Sequence, residues 1–159
     1  MIYAEQKHRL TEKYFDTVYR LALSQTKDKF MAEDVTQDVF LRFIRSDKDF
    51  LSEEHVKAWL IRVTVNRCKS LFSSFFFKKT VPLTEEIRCE EPEYNEIWTA
   101  VAKLPLKYKT VVHLFYCEDM SVKQISACLA LNESTVKSRL KRGREQLKEI
   151  LKGWDDIEF

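Results

Sequence analysis

Residues 134–149, STVKSRLKRGREQLKE, constrain the fold of this chain more than any other stretch. They contain six Lys or Arg residues against two Glu, and the apolar residues Val136, Leu140 and Leu147 follow one another four and seven positions apart. Apolar residues with this spacing lie on one face of an α-helix. The stretch is therefore predicted to form a helix with one apolar face and a basic outer wall.

A second helix is predicted directly before the basic one. Ser121 and Gln124 have the spacing of a capping box, in which each side chain accepts a hydrogen bond from the other residue's backbone amide. Ile125 would contribute to the buried face of this helix. Residues 130–133 then form a short break, after which Ser134 can cap the basic helix. Together the two segments have the pattern of a helix-turn-helix.

A helix-turn-helix binds duplex DNA by placing its second helix in the major groove. The residues at that helix's N-terminus then lie nearest the base edges, and the basic residues further along can contact phosphates or guanine. The first group is Ser134, Thr135, Lys137 and Ser138, and the second is Arg139, Lys141, Arg142 and Arg144. The alternatives are a solvated basic surface, or a structural or protein-binding helix-turn-helix.

Glycine and proline are rare, which excludes several classes of fold. The 159 residues include two glycines and three prolines. Tight hairpins, phosphate-binding loops and nucleophile elbows all need glycine, so most nucleotide-binding and hydrolase scaffolds are disfavoured. No nucleophile, base and orienting group can be assembled from the residues present, so we expect a protein that is not an enzyme.

Charge is unevenly distributed, although the net charge is only +2. Residues 134–152 hold seven Lys or Arg against two Glu, whereas residues 81–96 hold six Glu against one Arg. Two prolines and the absence of periodicity predict a linker at residues 78–92, between domains at 1–77 and 93–159. The expected fold is all-α, with two small helical domains joined by a flexible acidic linker, the second containing the helix-turn-helix.

Three helices are predicted in the first domain, at residues 5–25, 31–45 and 55–73. The second of them should bury Ile44 with its other apolar residues. Its opposite face would carry Glu33, Asp34, Gln37 and Asp38. Paired carboxylates can serve catalysis or metal binding, but no histidine is near them. This face is therefore either solvated or a docking surface for a basic partner.

The third helix combines basic residues with Trp59, which is expected to face inward. Cations follow phosphates and amides hold unstacked bases, so single-stranded nucleic acid is one ligand that suits such a surface. The other interpretation is an ordinary basic helix over a core tryptophan. The outer residues are Arg62, Asn66, Arg67 and Lys69. The polar residues 46–54 before this helix, with Phe50 in their middle, are predicted to form a loop.

The cysteines favour a reducing, cytoplasmic setting. Cys68, Cys89, Cys117 and Cys128 have no CxxC spacing, and no secretory signal accompanies them. His113 could begin a zinc site with Cys117 and Cys128, but an apolar helix face explains the cysteines more simply, so we expect no metal and no cofactor. No apolar run has the length needed to cross a bilayer.

Four motifs, in this order, resemble those of the extracytoplasmic-function group of bacterial sigma factors. They are AEDVTQDVFLRFIR at 32–45, AWLIRVTVNR at 58–67, LPLKYKTVVHLFY at 104–116 and STVKSRLKRGREQL at 134–147. The resemblance covers nearly the whole chain. It implies a transcription initiation factor that binds core RNA polymerase and promoter DNA and has no small-molecule substrate. It also implies a membrane-associated anti-sigma factor that would hold the protein near the membrane.

The resemblance assigns roles to individual segments. The acidic helix would dock on the polymerase clamp, with Asp34, Gln37, Asp38 and Arg42 as contacts. Residues 46–54 would capture a flipped base of the minus-ten element, with Phe50 either beneath the loop or against the base. The linker would thread the polymerase interior. The downstream contacts would be Phe50, Arg62, Asn66, Arg67 and Lys69, and the basic helix would read the minus-thirty-five element.

Two other functions are compatible with the sequence. A conventional helix-turn-helix regulator would bind DNA without entering polymerase, and a protein-interaction adaptor or sensor would use the acidic helix and the cysteines. One departure from the family concerns the bend of the helix-turn-helix, where Ala130 replaces a common glycine. Either Asn132 supplies a left-handed residue or the bend differs slightly.

Overall fold

The computed structural model describes residues 4–78 and 96–152, and the regular secondary structure in these ranges is entirely helical. The elements are α1 Ala4–Thr26, α2 Lys29–Arg45, α3 Glu53–Lys78, α4 Glu96–Ala102, α5 Leu106–Tyr116, α6 Val122–Leu129 and α7 Glu133–Ile150. The chain divides into unit 1, Met1–Glu86, and unit 2, Ile87–Phe159. This confirms the all-α fold class. The predicted linker at 78–92 lies, apart from Lys78, outside the described residues, and the predicted domain bounds stay a prediction.

Unit 1 is built from α1, α2 and α3, each of which packs against the other two. Its core consists of fully buried apolar side chains that recur at helical spacing in all three helices. They include Leu10, Val18, Leu21, Val35, Val39, Phe43, Val56 and Ile61.

Helix α2 begins two residues before the predicted start. The Oδ1 atom of Asp28 accepts hydrogen bonds from the backbone amides of Phe30, at 2.8 Å, and Met31, at 3.1 Å. These amides have no partner within the helix, so a carboxylate at the N-cap stabilises the first turn.

Helix α3 also starts earlier than predicted, at Glu53 rather than His55, because its first turn has several stabilising contacts. Ser52 Oγ accepts from the His55 amide at 3.1 Å. Glu53 and Glu54 place negative charge at the helix N-terminus, where the macrodipole favours it. Lys13 Nζ of α1 donates to Glu53 Oε1 at 2.6 Å and lowers the pKa of that carboxyl. The helix runs on to Lys78, since no proline or glycine interrupts it.

Unit 2 contains α4 to α7, and α5 packs against α4, α6 and α7. The predicted capping box of α6 is confirmed. Gln124 N–H donates to Ser121 Oγ at 3.1 Å, and Ser121 N–H donates to Gln124 Oε1 at 2.9 Å. Pro105 stands at the N-cap of α5. The buried apolar residues are led by Val111, Leu114, Ile125, Val136, Leu140 and Leu147.

The bend between α6 and α7 contains a left-handed residue, but Asn132 does not supply it and Ser134 does not cap α7. Ala130 itself is left-handed, with φ 55° and ψ 45°, whereas Asn132 is extended and forms the N-cap of α7. Ser134 therefore lies inside the helix and does not cap it. The amides of Ala130 and Leu131 both donate to the Ser126 carbonyl, and Ser126 Oγ donates to the Leu131 carbonyl. These bonds hold Ala130 in a conformation that its Cβ disfavours.

We expect Ala130→Gly to raise the free energy of unfolding by about 0.5–1 kcal/mol. Relief of about 1–2 kcal/mol of left-handed strain exceeds the roughly 0.4–1 kcal/mol that glycine costs through the unfolded chain. Thermal unfolding followed by circular dichroism measures the change. The matched control is Ala127→Gly, at an exposed position inside α6, which should lower stability by about 1 kcal/mol. Equal losses in both variants would show that residue 130 is unstrained.

Candidate nucleic-acid interface

Helix α7 carries all eight residues predicted to contact duplex DNA, and the structure places most of them at its surface. One face of α7 packs inside unit 2, and its buried residues are Val136, Leu140, Gly143 and Leu147. The remaining positions therefore form an outer face. Ser134, Lys137, Ser138, Lys141 and Arg142 are exposed, while Thr135, Arg139 and Arg144 are half-buried.

Gly143 allows α7 to lie unusually close to α5. A Cβ atom at this position would stand 2.6 Å from Val112 Cγ2 and 3.6 Å from Tyr108 Cβ. Real Cβ contacts essentially never come closer than about 3 Å, since packed interiors leave no room for such an overlap. The single hydrogen at Gly143 therefore sets the spacing of the two helices, and with it the position of the basic residues on either side.

Arg142 and Arg144 flank Gly143 and interact with tyrosines of α5. The Arg142 guanidinium donates a hydrogen bond to the Tyr108 hydroxyl, which lowers the pKa of Tyr108 and raises that of Arg142. The cation stabilises the ionised phenol, and the phenol oxygen stabilises the charged guanidinium, which explains the direction of both pKa shifts. Arg142 thus remains exposed while one of its donors is oriented by α5.

Arg144 is also among the residues predicted to contact DNA, and its guanidinium contacts two aromatic rings at the end of α5. Its Nε donates to Tyr116 Oη at 2.6 Å, and its guanidinium lies 5.7 Å and 5.8 Å from the ring centroids of Phe115 and Tyr116. Cation–π and hydrogen-bond contacts of this kind hold the side chain against α5. Part of its guanidinium is thus engaged by α5, and its contact with DNA stays a prediction.

On α2, the predicted docking residues Asp34 and Gln37 are exposed, but Asp38 is engaged within unit 1. Its Oδ2 atom lies 3.1 Å from Arg42 Nε and 3.0 Å from Arg67 Nε. Two residues assigned to polymerase and one assigned to DNA therefore form one ion-paired group. This group joins α2 to α3.

Three exposed apolar side chains of α2 were missed by the sequence reasoning. Phe30 is 81% exposed, Leu41 48% and Ile44 54%, so the prediction that Ile44 is buried was wrong. Residues 30, 34, 37, 41 and 44 share one helix face because they are three or four positions apart. The same periodicity could have found them, since it places Leu41 beside Gln37.

The outer face of α3 exposes Arg62, Asn66 and Lys69, as predicted from the sequence. Arg67 is half-buried because of its ion pair with Asp38. Trp59 is also half-buried, and its ring lies 6.0 Å from that of Phe43. Three polar side chains thus remain available along one helix.

Phe50 lies beneath the loop before α3. It is fully buried, and its ring centroid is 5.5 Å from those of Phe43 and Trp59 and 5.3 Å from that of His55. Its assignment as a DNA contact is therefore corrected, since a side chain without solvent access cannot touch a base. The next residue, Leu51, is 82% exposed and was not predicted as a contact.

The cysteines were the remaining candidate residues, and the structure describes three of them. Cys68 and Cys128 are buried, Cys117 is half-buried, and Cys89 lies outside the described residues. Within residues 4–78 and 96–152, no three His, Cys, Asp or Glu side chains are grouped so that they could hold a metal ion. In the same ranges, every helix is too short or too polar to span a bilayer.

Comparison with known proteins gives matches along most of the chain. The family model for sigma-70 region 2 matches residues 10–74, and that for sigma-70 region 4 matches residues 94–147. The ECF sigma factor SigE of Mycolicibacterium smegmatis is 30% identical over 89% of this chain and 60% of its own length. SigM of Bacillus subtilis is 28% identical over 87% of this chain and 91% of its own length. The sigma factor RpoE of Bartonella quintana, solved in complex with the anti-sigma factor NepR, superposes with a TM-score of 0.81 at 22% identity, covering 95% of this chain and 99% of that one.

Proposed function

The chain belongs to the sigma-70 family of RNA polymerase sigma factors, in its extracytoplasmic-function group, and we propose how its two units direct transcription initiation. Unit 1 binds core polymerase and the opened promoter strand, and unit 2 reads the upstream element as intact duplex. Members of this family act by binding, so the energy for recognition comes from non-covalent contacts alone.

The observation that carries the role of unit 2 is the exposed face of α7. Its N-terminal part presents short polar side chains, Ser134 and Ser138, with Lys137 between them. A helix that enters the major groove brings such residues to the base edges, while Arg142 and Lys141 reach phosphates. Phosphate contacts set the register of the helix and base contacts supply the sequence preference.

Unit 1 is proposed to hold the opened strand along α3. Arg62 and Lys69 are cations that can follow the backbone, and Asn66 offers an amide to an unstacked base. Contacts of this type offset the stacking and pairing that the base loses on leaving the duplex. The loop that contains exposed Leu51 lies directly before this helix.

The exposed face of α2 is proposed as the polymerase contact. It combines the carboxylate of Asp34 and the amide of Gln37 with the apolar side chains of Phe30, Leu41 and Ile44. Charges give orientation and association rate, whereas apolar anchors that become buried supply most of the affinity. A basic surface with an apolar pocket on the core enzyme fits this combination.

We expect Leu41→Ala to weaken binding to core polymerase by about tenfold. Truncation of an apolar anchor at an interface centre costs more than about 1 kcal/mol. Surface plasmon resonance with immobilised core enzyme measures the dissociation constant. The control is Ile150→Ala, an apolar residue 39% exposed at the end of α7, which should leave it unchanged. Unaltered affinity of the Leu41 variant would remove this face from the interface.

An anti-sigma factor is proposed as a further protein partner. The support is the fold neighbour RpoE, which was solved bound to the anti-sigma factor NepR. We propose that the partner of this chain is membrane-associated and keeps the sigma factor at the cytoplasmic side of the membrane until a signal releases it.

Run-off transcription with purified core polymerase on a library of genomic promoters tests the proposed function. We expect transcripts that start at a fixed distance from a shared two-part element and that depend on the added chain. DNA binding without any polymerase-dependent transcript would instead favour a conventional helix-turn-helix regulator. Failure to bind DNA at any salt concentration, with polymerase present, would favour an adaptor.

A further inference from the structure

The α2–α3 loop, residues 46–52, is held at both of its ends by side chains from neighbouring helices. At its start, Lys7 Nζ of α1 donates to the Ser46 carbonyl at 2.7 Å and lies 3.4 Å from the Ile44 carbonyl. At its end, the Leu51 amide donates to His55 Nδ1 of α3 at 3.2 Å. Side chains of α1 and α3 therefore add to the hydrogen bonds that the loop's own Ser46 and Ser52 accept.

His55, in the first turn of α3, contacts three residues of the preceding loop. Besides accepting from Leu51, it donates its own amide to Ser52 Oγ at 3.1 Å. Its ring meets the buried ring of Phe50 edge to face, with centroids 5.3 Å apart and an interplanar angle of 67°. The acceptor atom for the Leu51 amide is Nδ1 of the imidazole. One imidazole thus fixes the backbone of Leu51 and the side chain of Phe50 together.

These contacts produce an abrupt change in exposure between neighbours. Phe50 is 0% exposed and anchors the loop in the core, whereas Leu51 is 82% exposed. Because its backbone is already held by a hydrogen bond, an exposed Leu51 has less conformational freedom left to lose on binding. Such preorganisation favours the use of this side chain in recognition.

The tether, which is the hydrogen bond from the Leu51 amide to His55 Nδ1, lies at one end of the helix face that carries the predicted strand contacts. Residues 55, 59, 62 and 66 are separated by four, three and four positions, so they share one face of α3. At 1.5 Å per residue, this face is roughly 16 Å long from His55 to Asn66. Leu51 is thereby held beside the beginning of a row that continues to Arg62 and Asn66.

We propose that His55 is a positioning residue for recognition of the opened promoter strand: it holds the Leu51 backbone so that the Leu51 side chain is presented to a base lying along α3. This inference rests on the proposed function of unit 1. His55 acts through Leu51 and need not touch the nucleic acid itself. Loss of its acceptor nitrogen would leave the fold intact and the leucine untethered.

Two substitutions separate the ring of His55 from its acceptor atom. His55→Phe keeps an aromatic ring against Phe50 and removes the acceptor. His55→Asn removes most of the ring but keeps an oxygen close to the position of Nδ1. Leu51→Ala removes the presented side chain and, being at an exposed position, carries little risk for folding. The matched control is His8→Phe, on the exposed surface of α1.

The first readout is hydrogen exchange of the Leu51 amide in the full chain without polymerase or DNA. A hydrogen bond of this kind contributes about 0.5–1.5 kcal/mol, so its loss should accelerate exchange by roughly two- to tenfold. We expect that acceleration in His55→Phe, and exchange close to wild type in His55→Asn and His8→Phe. Unchanged exchange in His55→Phe would overturn the proposed tether.

The second readout is the ratio of transcription from promoters that differ by one base in the downstream element. We expect His55→Phe and Leu51→Ala each to lower this ratio about three- to tenfold, and His55→Asn to retain most of it. The double variant should lose no more than either single one, because residues that act through one contact are not additive. Thermal unfolding of each variant identifies any loss that is due to folding, and the asparagine and alanine variants decide the question if His55→Phe unfolds.

The outcomes separate this inference from the function on which it rests. If the wild-type chain gives no promoter-dependent transcript, the proposed function fails, and the exchange measurement alone judges the tether. If the wild type discriminates between bases and His55→Phe discriminates equally well, His55 is not a positioning residue although the function stands.

Discussion

Replacing Gly143 with alanine is expected to destabilise unit 2 by about 1–2 kcal/mol, although alanine is the better helix former. The new Cβ would stand 2.6 Å from Val112 Cγ2, and Val112 is itself 1% exposed in the core. Overpacking of this degree costs about 2–3 kcal/mol, which exceeds the gain of about 1 kcal/mol in helix propensity. Thermal unfolding of the full chain should show a decrease of several degrees in the transition of unit 2.

A double-mutant cycle identifies the contact responsible. Val112→Ala removes the methyl group that the new Cβ would meet, so Gly143→Ala should cost less in that background by at least about 1 kcal/mol. Gln146→Ala, at an exposed position of the same helix, should change stability by less than about 0.5 kcal/mol. If Gly143→Ala were stabilising, the close approach of α5 and α7 would not be a packing constraint.

Replacing Arg142 with alanine is expected to weaken binding of the polymerase complex to promoter DNA by about tenfold at moderate salt. A charge-assisted hydrogen bond contributes about 1.5–3 kcal/mol, and the loss of one phosphate contact should reduce the salt dependence, measured as log K against log salt, by about 0.9. Titration of labelled promoter duplex at four or more salt concentrations measures both quantities. The pKa of Tyr108 should also rise when the guanidinium that lowers it is removed.

Arg144→Ala is the matched comparison for Arg142→Ala. Its guanidinium is engaged by Tyr116 and Phe115, so its removal should cost about 0.5–1 kcal/mol of stability and leave the salt dependence unchanged. Two arginines, two positions apart on one helix, would then have different effects in the same assay. Equal salt dependence in the Arg142 variant and the wild type would show that Arg142 makes no phosphate contact.

Much of the helical framework follows from local sequence. The capping box at Ser121 and Gln124 depends on two residues three positions apart, and the apolar faces of α5 to α7 depend on a fixed period. Helix ends were less predictable. Both α2 and α3 begin two residues before their predicted starts, because the side chains of Asp28 and Ser52, which directly precede them, accept hydrogen bonds from amides of their first turns. The sequence left open whether Asn132 supplies a left-handed residue or the bend differs slightly, whereas in the structure Ala130 is the left-handed residue and its amide donates to the Ser126 carbonyl.

The candidate site shows the same division. Periodicity predicted that Asp34, Gln37, Arg62 and Asn66 are at the surface. It could not predict that Asp38 binds Arg67, which is 29 positions away, because the approach of α2 to α3 decides which charges meet. A polar or charged side chain is expected to contact solvent, but a partner from another helix can provide the same hydrogen bonds and opposite charge.

By itself, the sequence determined the all-helical class, the helix-turn-helix and the basic character of α7, because each depends on residues within a few helical turns. The tertiary structure alone decided which side chains are available for binding. It buried Phe50 and exposed Leu51, directed Arg144 toward α5 while leaving Arg142 at the surface, and placed Gly143 against Val112. The physical reason is that exposure depends on the packing of helices distant in the chain, which no local period encodes.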